Sequence, residues 1–191
     1  MFPLNISNFL TLVRILAVPV LVVALLGETP DGDVIAAVVF ALAALTDGVD
    51  GYIARRRREV TNFGKLMDPL ADKLLVVAAL VALVSLNRLA AWIAMVIIAR
   101  ELAVTGLRSL AAEQGAVIAA SWLGKAKTLL QVVAIFALIA FDPSPLWVDL
   151  LLYAAVAMTV ISGVDYFFGL RHHVSEPAPA ASSSGLATKP R

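Results

Sequence analysis

The chain has 191 residues, a length that fits one domain, and 61% of them are hydrophobic against 15% charged, where soluble chains carry roughly 45–50% apolar and about 25% charged residues. With a mean hydropathy of +0.91 it reads as an integral membrane protein, and a net charge of +1 gives no reason to expect a nucleic-acid partner. The absence of cysteine excludes disulfides, thiolate chemistry and cysteine-ligated zinc.

Six hydrophobic runs follow, and the expected fold is an all-α integral membrane protein with six transmembrane helices. The N-terminus lacks the basic region and small-residue cleavage site of a signal peptide, so residues 9–26 are expected to form a retained helix, interrupted by Arg14 and Pro19. After the turn cluster GETPDGD, residues 34–45 lead into Asp47 and Asp50. A basic connection, Arg55 to Arg58, precedes Asp68 and Asp72 at the start of the run 70–86. Residues 89–107, 126–141 and 146–169 complete the set. Such runs suit helices crossing a hydrocarbon core of ~30 Å. No series of short alternating segments suggests a barrel.

Basic residues set the expected orientation. Arg55–Arg58 and Lys65 lie between the second and third runs, and Arg108, Lys125 and Lys127 between the fourth and fifth. The opposite connections carry the acids of residues 27–33, the SLN turn with Arg88, and FDPSPLWVD. The basic loops and both termini are therefore expected on the cytoplasmic side. Residues 1–173 are read as the membrane catalytic domain. Residues 174–191, rich in proline, serine and alanine, are read as a disordered cytoplasmic tail. His172 and His173 at its start read as surface residues.

Aspartates beside lipid need a reason. Asp47 and Asp50 are three apart, and Asp68 and Asp72 four apart, so on helices each pair shares a face one turn apart. Gly51 and Gly64 permit close approach of a ligand or a second backbone. Four converging carboxylates cannot all stay ionised without countercharge. Mg²⁺ or Mn²⁺, bound through oxygen, supplies it, and two such ions can clamp a phosphoryl group.

The run from Asp47 through Asp50, Gly51, Ala54, Arg55, Gly64 and Asp68 to Asp72 resembles the signature of the CDP-alcohol phosphatidyltransferase family at every defining position. The resemblance covers most of the chain, from Asn5 to about Gly169. It implies a six-helix membrane enzyme, usually a homodimer, with its site at the cytoplasmic surface of the membrane. Such enzymes move a phosphatidyl group from a CDP-linked lipid to an alcohol and release CMP. By the same resemblance Asp47, Asp50, Asp68 and Asp72 hold the metal ions, and Asp72 is also the base for the acceptor hydroxyl. Gly51, Ala54 and Arg55 line the nucleotide, with Thr61, Gly64 and Lys65 on the CDP-lipid surface beside them. A guanidinium at Arg55 suits phosphate recognition. Arg56 to Arg58 match no fixed position and read as a topogenic, lipid-binding cluster.

Other segments bear on the acceptor alcohol. Asn8, Thr11 and Arg14 are similar to the N-x-L-T-x-x-R opening of phosphatidylglycerophosphate synthases and read as nucleotide or diphosphate contacts, against snorkelling of Arg14 to the interface. The stretches around Arg100-Glu101, Arg108 and Gly124-Lys125-Ala126-Lys127-Thr128 are similar to further segments of those enzymes. They place cations near the aspartates, as an acceptor carrying its own phosphate requires. Arg100, Arg108, Lys125 and Lys127 are therefore the candidates for a glycerol phosphate pocket. Glu101 would pair with Arg100 or orient a neighbouring cation, unless the pair is a buried structural one.

GKAK is not a P-loop, since Ala119 and Ala126 stand where glycine and Ser/Thr are needed. No HxK…D pattern offers a histidine nucleophile. The reaction expected is CDP-diacylglycerol plus sn-glycerol 3-phosphate giving phosphatidylglycerophosphate and CMP. Its rivals are the same chemistry with inositol phosphate, serine or phosphatidylglycerol, and a divalent-cation carrier.

Overall fold

The computed structural model describes residues 6–27, 29–57, 62–113 and 122–174, with side chains over 11–27, 29–46, 73–111 and 122–167. Among the described residues there are six α-helices and no strand: α1 Ile6–Leu26, α2 Gly32–Arg57, α3 Asn62–Ser85, α4 Ala91–Glu113, α5 Trp122–Ala140 and α6 Leu146–Val174. Leucine and alanine, both strong helix formers, dominate these stretches. Pro19 sits inside α1 on an exposed position, where its missing N–H interrupts one helical hydrogen bond.

The helices outrun the hydrophobic runs. Helix α2 continues through Asp47 and Asp50 to Arg57, and α3 begins at Asn62, well before the apolar stretch. Arg55, Arg56 and Arg57 therefore lie on a helix and not in the connection. The reason is physical: a hydrophobic run ends where lipid would end, whereas the backbone hydrogen-bond ladder continues without apolar side chains. By length and composition, Trp122–Ala140 and Leu146–Phe167 are long and apolar enough to cross a membrane. Thr11–Leu26, Gly32–Thr46 and Lys73–Ser85 are shorter apolar helices.

Helix α1 packs on α2 and α3, α4 on α3 and α6, and α5 on α6 and α2, with lighter contact to α3. Leu21, Phe40, Leu80, Leu83, Ile97 and Leu138 are buried where these helices meet. Ala36, Ala79, Ala82 and Ala137 are buried beside them, which lets backbones approach closely. The outside is apolar as well: Leu16, Val23, Leu45, Leu129 and Leu150 are all exposed. An apolar exterior of this kind is a liability in water and is suited to lipid.

One end of the bundle is tied by Arg88. Helix α3 closes with Asn87 at φ 58, while the Asn87 N–H donates to Val84 O and the Arg88 N–H donates to Leu83 O. That is a Schellman close, and the left-handed residue is asparagine, which tolerates it. The turn aims Arg88 at Asp33, to which it donates two hydrogen bonds of 2.8 and 2.9 Å, and at Asp142, 2.7 Å away. The start of α2, the α3–α4 turn and the end of α5 are thereby gathered at one end. The hydrogen bond to Asp33 leads in raising the Arg88 pKa above the ordinary arginine value, against the opposing effect of burial.

Candidate active site

Helices α2 and α3 carry the aspartates, Asp47 and Asp50 on the first and Asp68 and Asp72 on the second. Each pair keeps its one-turn spacing within helical backbone. The side chains of these four, and of Asn8, Gly51, Ala54, Arg55, Gly64 and Lys65, lie outside the described residues, as does the whole of Thr61. Among the described residues no group of three His, Asp or Glu could hold a metal ion.

Beside the aspartate-bearing segments, a cavity of about 780 Å³ opens between α2, α3, α4 and α5. Lys73, Arg100, Glu101, Arg108 and Lys125 lie on its wall, with Thr105 and Thr128 between them. Phe40, Leu129, Val132 and Phe136 make the wall apolar elsewhere. A carboxylate facing four cations leaves a surplus of positive charge, and low-dielectric walls strengthen its pull on an anion.

Three of the four expected acceptor cations thus meet in one place, on α4 and α5. Lys127 is elsewhere. It is 1% exposed and lines a separate cavity of about 40 Å³ with Gln131, Lys73 and Glu101. Its ammonium donates to Glu101 Oε1. The helical period is the reason: residues two positions apart on a helix point ~200° away from each other, so Lys125 and Lys127 face different neighbours. A buried ammonium needs a partner, and Glu101 provides it.

Arg100 is fixed from two sides. It donates through Nη1 to Glu101 Oε1 at 3.2 Å and through Nη2 to Ser162 Oγ of α6 at 2.9 Å. Its buried Nε has no hydrogen-bond partner. A Cβ added at Gly163 would stand 3.3 Å from Arg100 Cγ, so the glycine is the space the arginine stem occupies. Arg108 lies over the Tyr166 ring, 5.4 Å from its centroid, within cation–π range.

On α1, Thr11 is buried and Arg14 is 2% exposed. Arg14 lines a groove of about 330 Å³ with Thr46, the residue before Asp47. The arginine is therefore level with the first aspartate pair and packed inside, not extended toward an interface. Sequence reasoning missed Lys73 as a site residue. Its ammonium is 3.9 Å from Glu101 Oε2 and it lines both cavities. The available signal was a cation directly after Asp72 on the same helix.

The model of the CDP-alcohol phosphatidyltransferase family matches residues 4–161. The chain belongs to that family. It is similar to the CDP-diacylglycerol–glycerol-3-phosphate 3-phosphatidyltransferase of Bacillus subtilis, 46% identical over 180 residues, covering 85% of this chain and 93% of that protein. It is 44% identical over 167 residues to a probable phosphatidylglycerophosphate synthase of Mycobacterium tuberculosis, covering 85% of this chain and 79% of the relative. A Salmonella choleraesuis protein of the same name as the Bacillus one is 37% identical over 176 residues, covering 90% and 93%. The family match spans α1 to α5 and much of α6, so the cavity and both aspartate pairs lie inside it.

Proposed function

We propose that this protein transfers a phosphatidyl group from CDP-diacylglycerol to sn-glycerol 3-phosphate, giving phosphatidylglycerophosphate and CMP. The observation that carries the reading is the cavity where Arg100, Arg108, Lys125 and Lys73 converge beside helices bearing the four aspartates. A phosphate-bearing acceptor needs cations there, and an uncharged alcohol needs fewer. The names of the relatives point the same way.

Asp47, Asp50, Asp68 and Asp72, paired at one-turn spacing on α2 and α3, form a hard oxygen donor set that suits Mg²⁺ or Mn²⁺, two ions by the number of carboxylates. Bound there, the metal supplies charge stabilisation on the diphosphate. The chain's own residues do the rest. Arg14 and Arg55 bind the diphosphate, with Asn8, Thr11, Thr61 and Lys65 beside them, while Gly51, Ala54 and Gly64 leave room for the nucleotide. Arg100, Arg108 and Lys125 hold the acceptor phosphate. Lys127 contributes through Glu101. Asp72 takes the proton from the acceptor hydroxyl as its oxygen bonds to the lipid-bearing phosphorus and the bond to CMP breaks.

The reading includes six membrane-crossing helices in a homodimer, with both termini and the site on the cytoplasmic side of the inner membrane. The basic residues around the cavity support that orientation. So does the Arg88 clasp, which gathers the acidic loops at the far end of α3, ~18 Å along Lys73–Ser85 at about 1.5 Å per residue. The test is CMP release by purified protein in detergent, with glycerol 3-phosphate set against inositol phosphate, serine and phosphatidylglycerol. Release with glycerol 3-phosphate no faster than with buffer, while another alcohol works, overturns the substrate assignment.

A further inference from the structure

Lys73 and Glu101 join elements that the proposed reaction must keep in register. Lys73 follows Asp72 on α3, so its backbone moves with the proposed base. Glu101 sits on α4 in the partition between the two cavities, on the wall of each. Its Oε1 accepts from Lys127 of α5 and from Arg100, and Arg100 in turn donates to Ser162 of α6. Through this carboxylate, α3, α4, α5 and α6 are linked beside the cavity.

The two oxygens of Glu101 are engaged unequally. Oε1 takes hydrogen bonds from two cations, whereas Oε2 stands 3.9 Å from the Lys73 ammonium, an ion-pair distance beyond hydrogen-bond range. An ammonium has three donors; among the described residues the contact shown for this one is that ion pair, and its side chain lines the large cavity. Lys73 is only partly exposed, at 22% of its side chain, so an anion entering the cavity meets it incompletely hydrated. Such a charge forms stronger hydrogen bonds than one in bulk water.

We propose that Lys73 binds the phosphate of the acceptor and that Glu101 is the positioning residue that holds Lys73 and Arg100 at the cavity wall. The loose contact with Oε2 is exchanged for the acceptor phosphate when it enters. Lys127, the buried partner, keeps the carboxylate in place while Lys73 turns to the ligand. With the phosphate held from α3, the acceptor hydroxyl is brought toward the helix that carries Asp72. This inference rests on reading the cavity as the acceptor site.

The experiment is steady-state CMP release by the full-length protein in detergent, with glycerol 3-phosphate and CDP-diacylglycerol varied separately. Lys73→Met is expected to raise KM for glycerol 3-phosphate by about tenfold or more, the loss that goes with one hydrogen bond to a charged group. Its KM for CDP-diacylglycerol stays within about twofold of wild type by the same scale. Lys73→Arg recovers most of the loss. Glu101→Gln raises KM for the same substrate, and the double variant loses less than the two single losses together, as coupled residues require, the part beyond Lys73→Met being that of Arg100. The proposal is overturned if Lys73→Met shifts both KM values alike, leaves both unchanged, or only lowers thermal stability. It is equally overturned if the two single losses simply add. Should Glu101→Gln fail to fold, the two Lys73 variants decide alone. Wild type responding to glycerol 3-phosphate, with Lys73→Met unaltered, sinks this inference and leaves the function standing; wild type inert to glycerol 3-phosphate removes both.

Discussion

Lys127 of α5 is buried with its ammonium on Glu101 of α4, an ion pair that ties the two helices together. Glu101→Leu would strand that ammonium between the helices. Breaking a buried pair by removing one partner costs roughly 3–5 kcal/mol. A loss of that order is expected in thermal unfolding in detergent. Adding Lys127→Met should recover part of it, because the stranded charge is then gone. A double variant no more stable than Glu101→Leu would show that Lys127 finds another partner, for which the buried Gln131 Oε1 is available.

Gly163 should matter through Arg100. Gly163→Val places bulk where the Arg100 stem runs, 3.3 Å from the new Cβ, and pushes the guanidinium off Ser162. A rise of about tenfold in KM for glycerol 3-phosphate is expected, the low end of the value of one charged hydrogen bond. Gly163→Ala asks Arg100 to move by only a few tenths of an ångström and should cost less. Equal kinetics for Gly163→Val and wild type would separate the glycine from the site.

Arg88→Met removes the fork to Asp33 and the contact to Asp142. Because the pair is partly exposed, the expected cost is about 1 kcal/mol, seen as a drop of ~2–4 °C in Tm. The pH dependence has a definite sign. A raised arginine pKa means the contribution is complete below the ordinary arginine value and is lost only as pH climbs through the raised one. Between about pH 6 and 9 the arginine stays charged, so its side of the clasp adds no pH dependence there.

Asp72→Asn is expected to abolish CMP release while nucleotide binding, measured by calorimetry, stays largely intact. Normal turnover would remove Asp72 from the role of base. Chelation with EDTA should stop the wild-type reaction, and Mg²⁺ or Mn²⁺ should restore it, since four carboxylates at these spacings are a hard-cation set. Activity that survives exhaustive chelation would overturn the metal assignment.

Much of this was legible because it is local. The one-turn spacing of Asp47 with Asp50 and of Asp68 with Asp72 follows from the helical period alone, and the hydrophobic runs anticipated all six helices. Their ends were less legible. Residues 47–57 lack the apolar pattern, yet the backbone of α2 stays helical through them.

What lay beyond the sequence was which charges face each other across helices. Lys125 and Lys127 look equivalent in the chain, but the register of α5 sends one to the large cavity and the other to Glu101. Ser162 and Gly163 carry no signal of their own until α6 is set against α4, where they receive Arg100. Arg88 finds Asp33 and Asp142 only once three helix ends are assembled. Composition, periodicity and motif spacing determined the class, the helices and the aspartate pairs, because each depends on neighbours within a few turns. The cation set depends on contacts between residues such as Lys73, Arg100 and Lys125, far apart in the chain, and packing alone decided it.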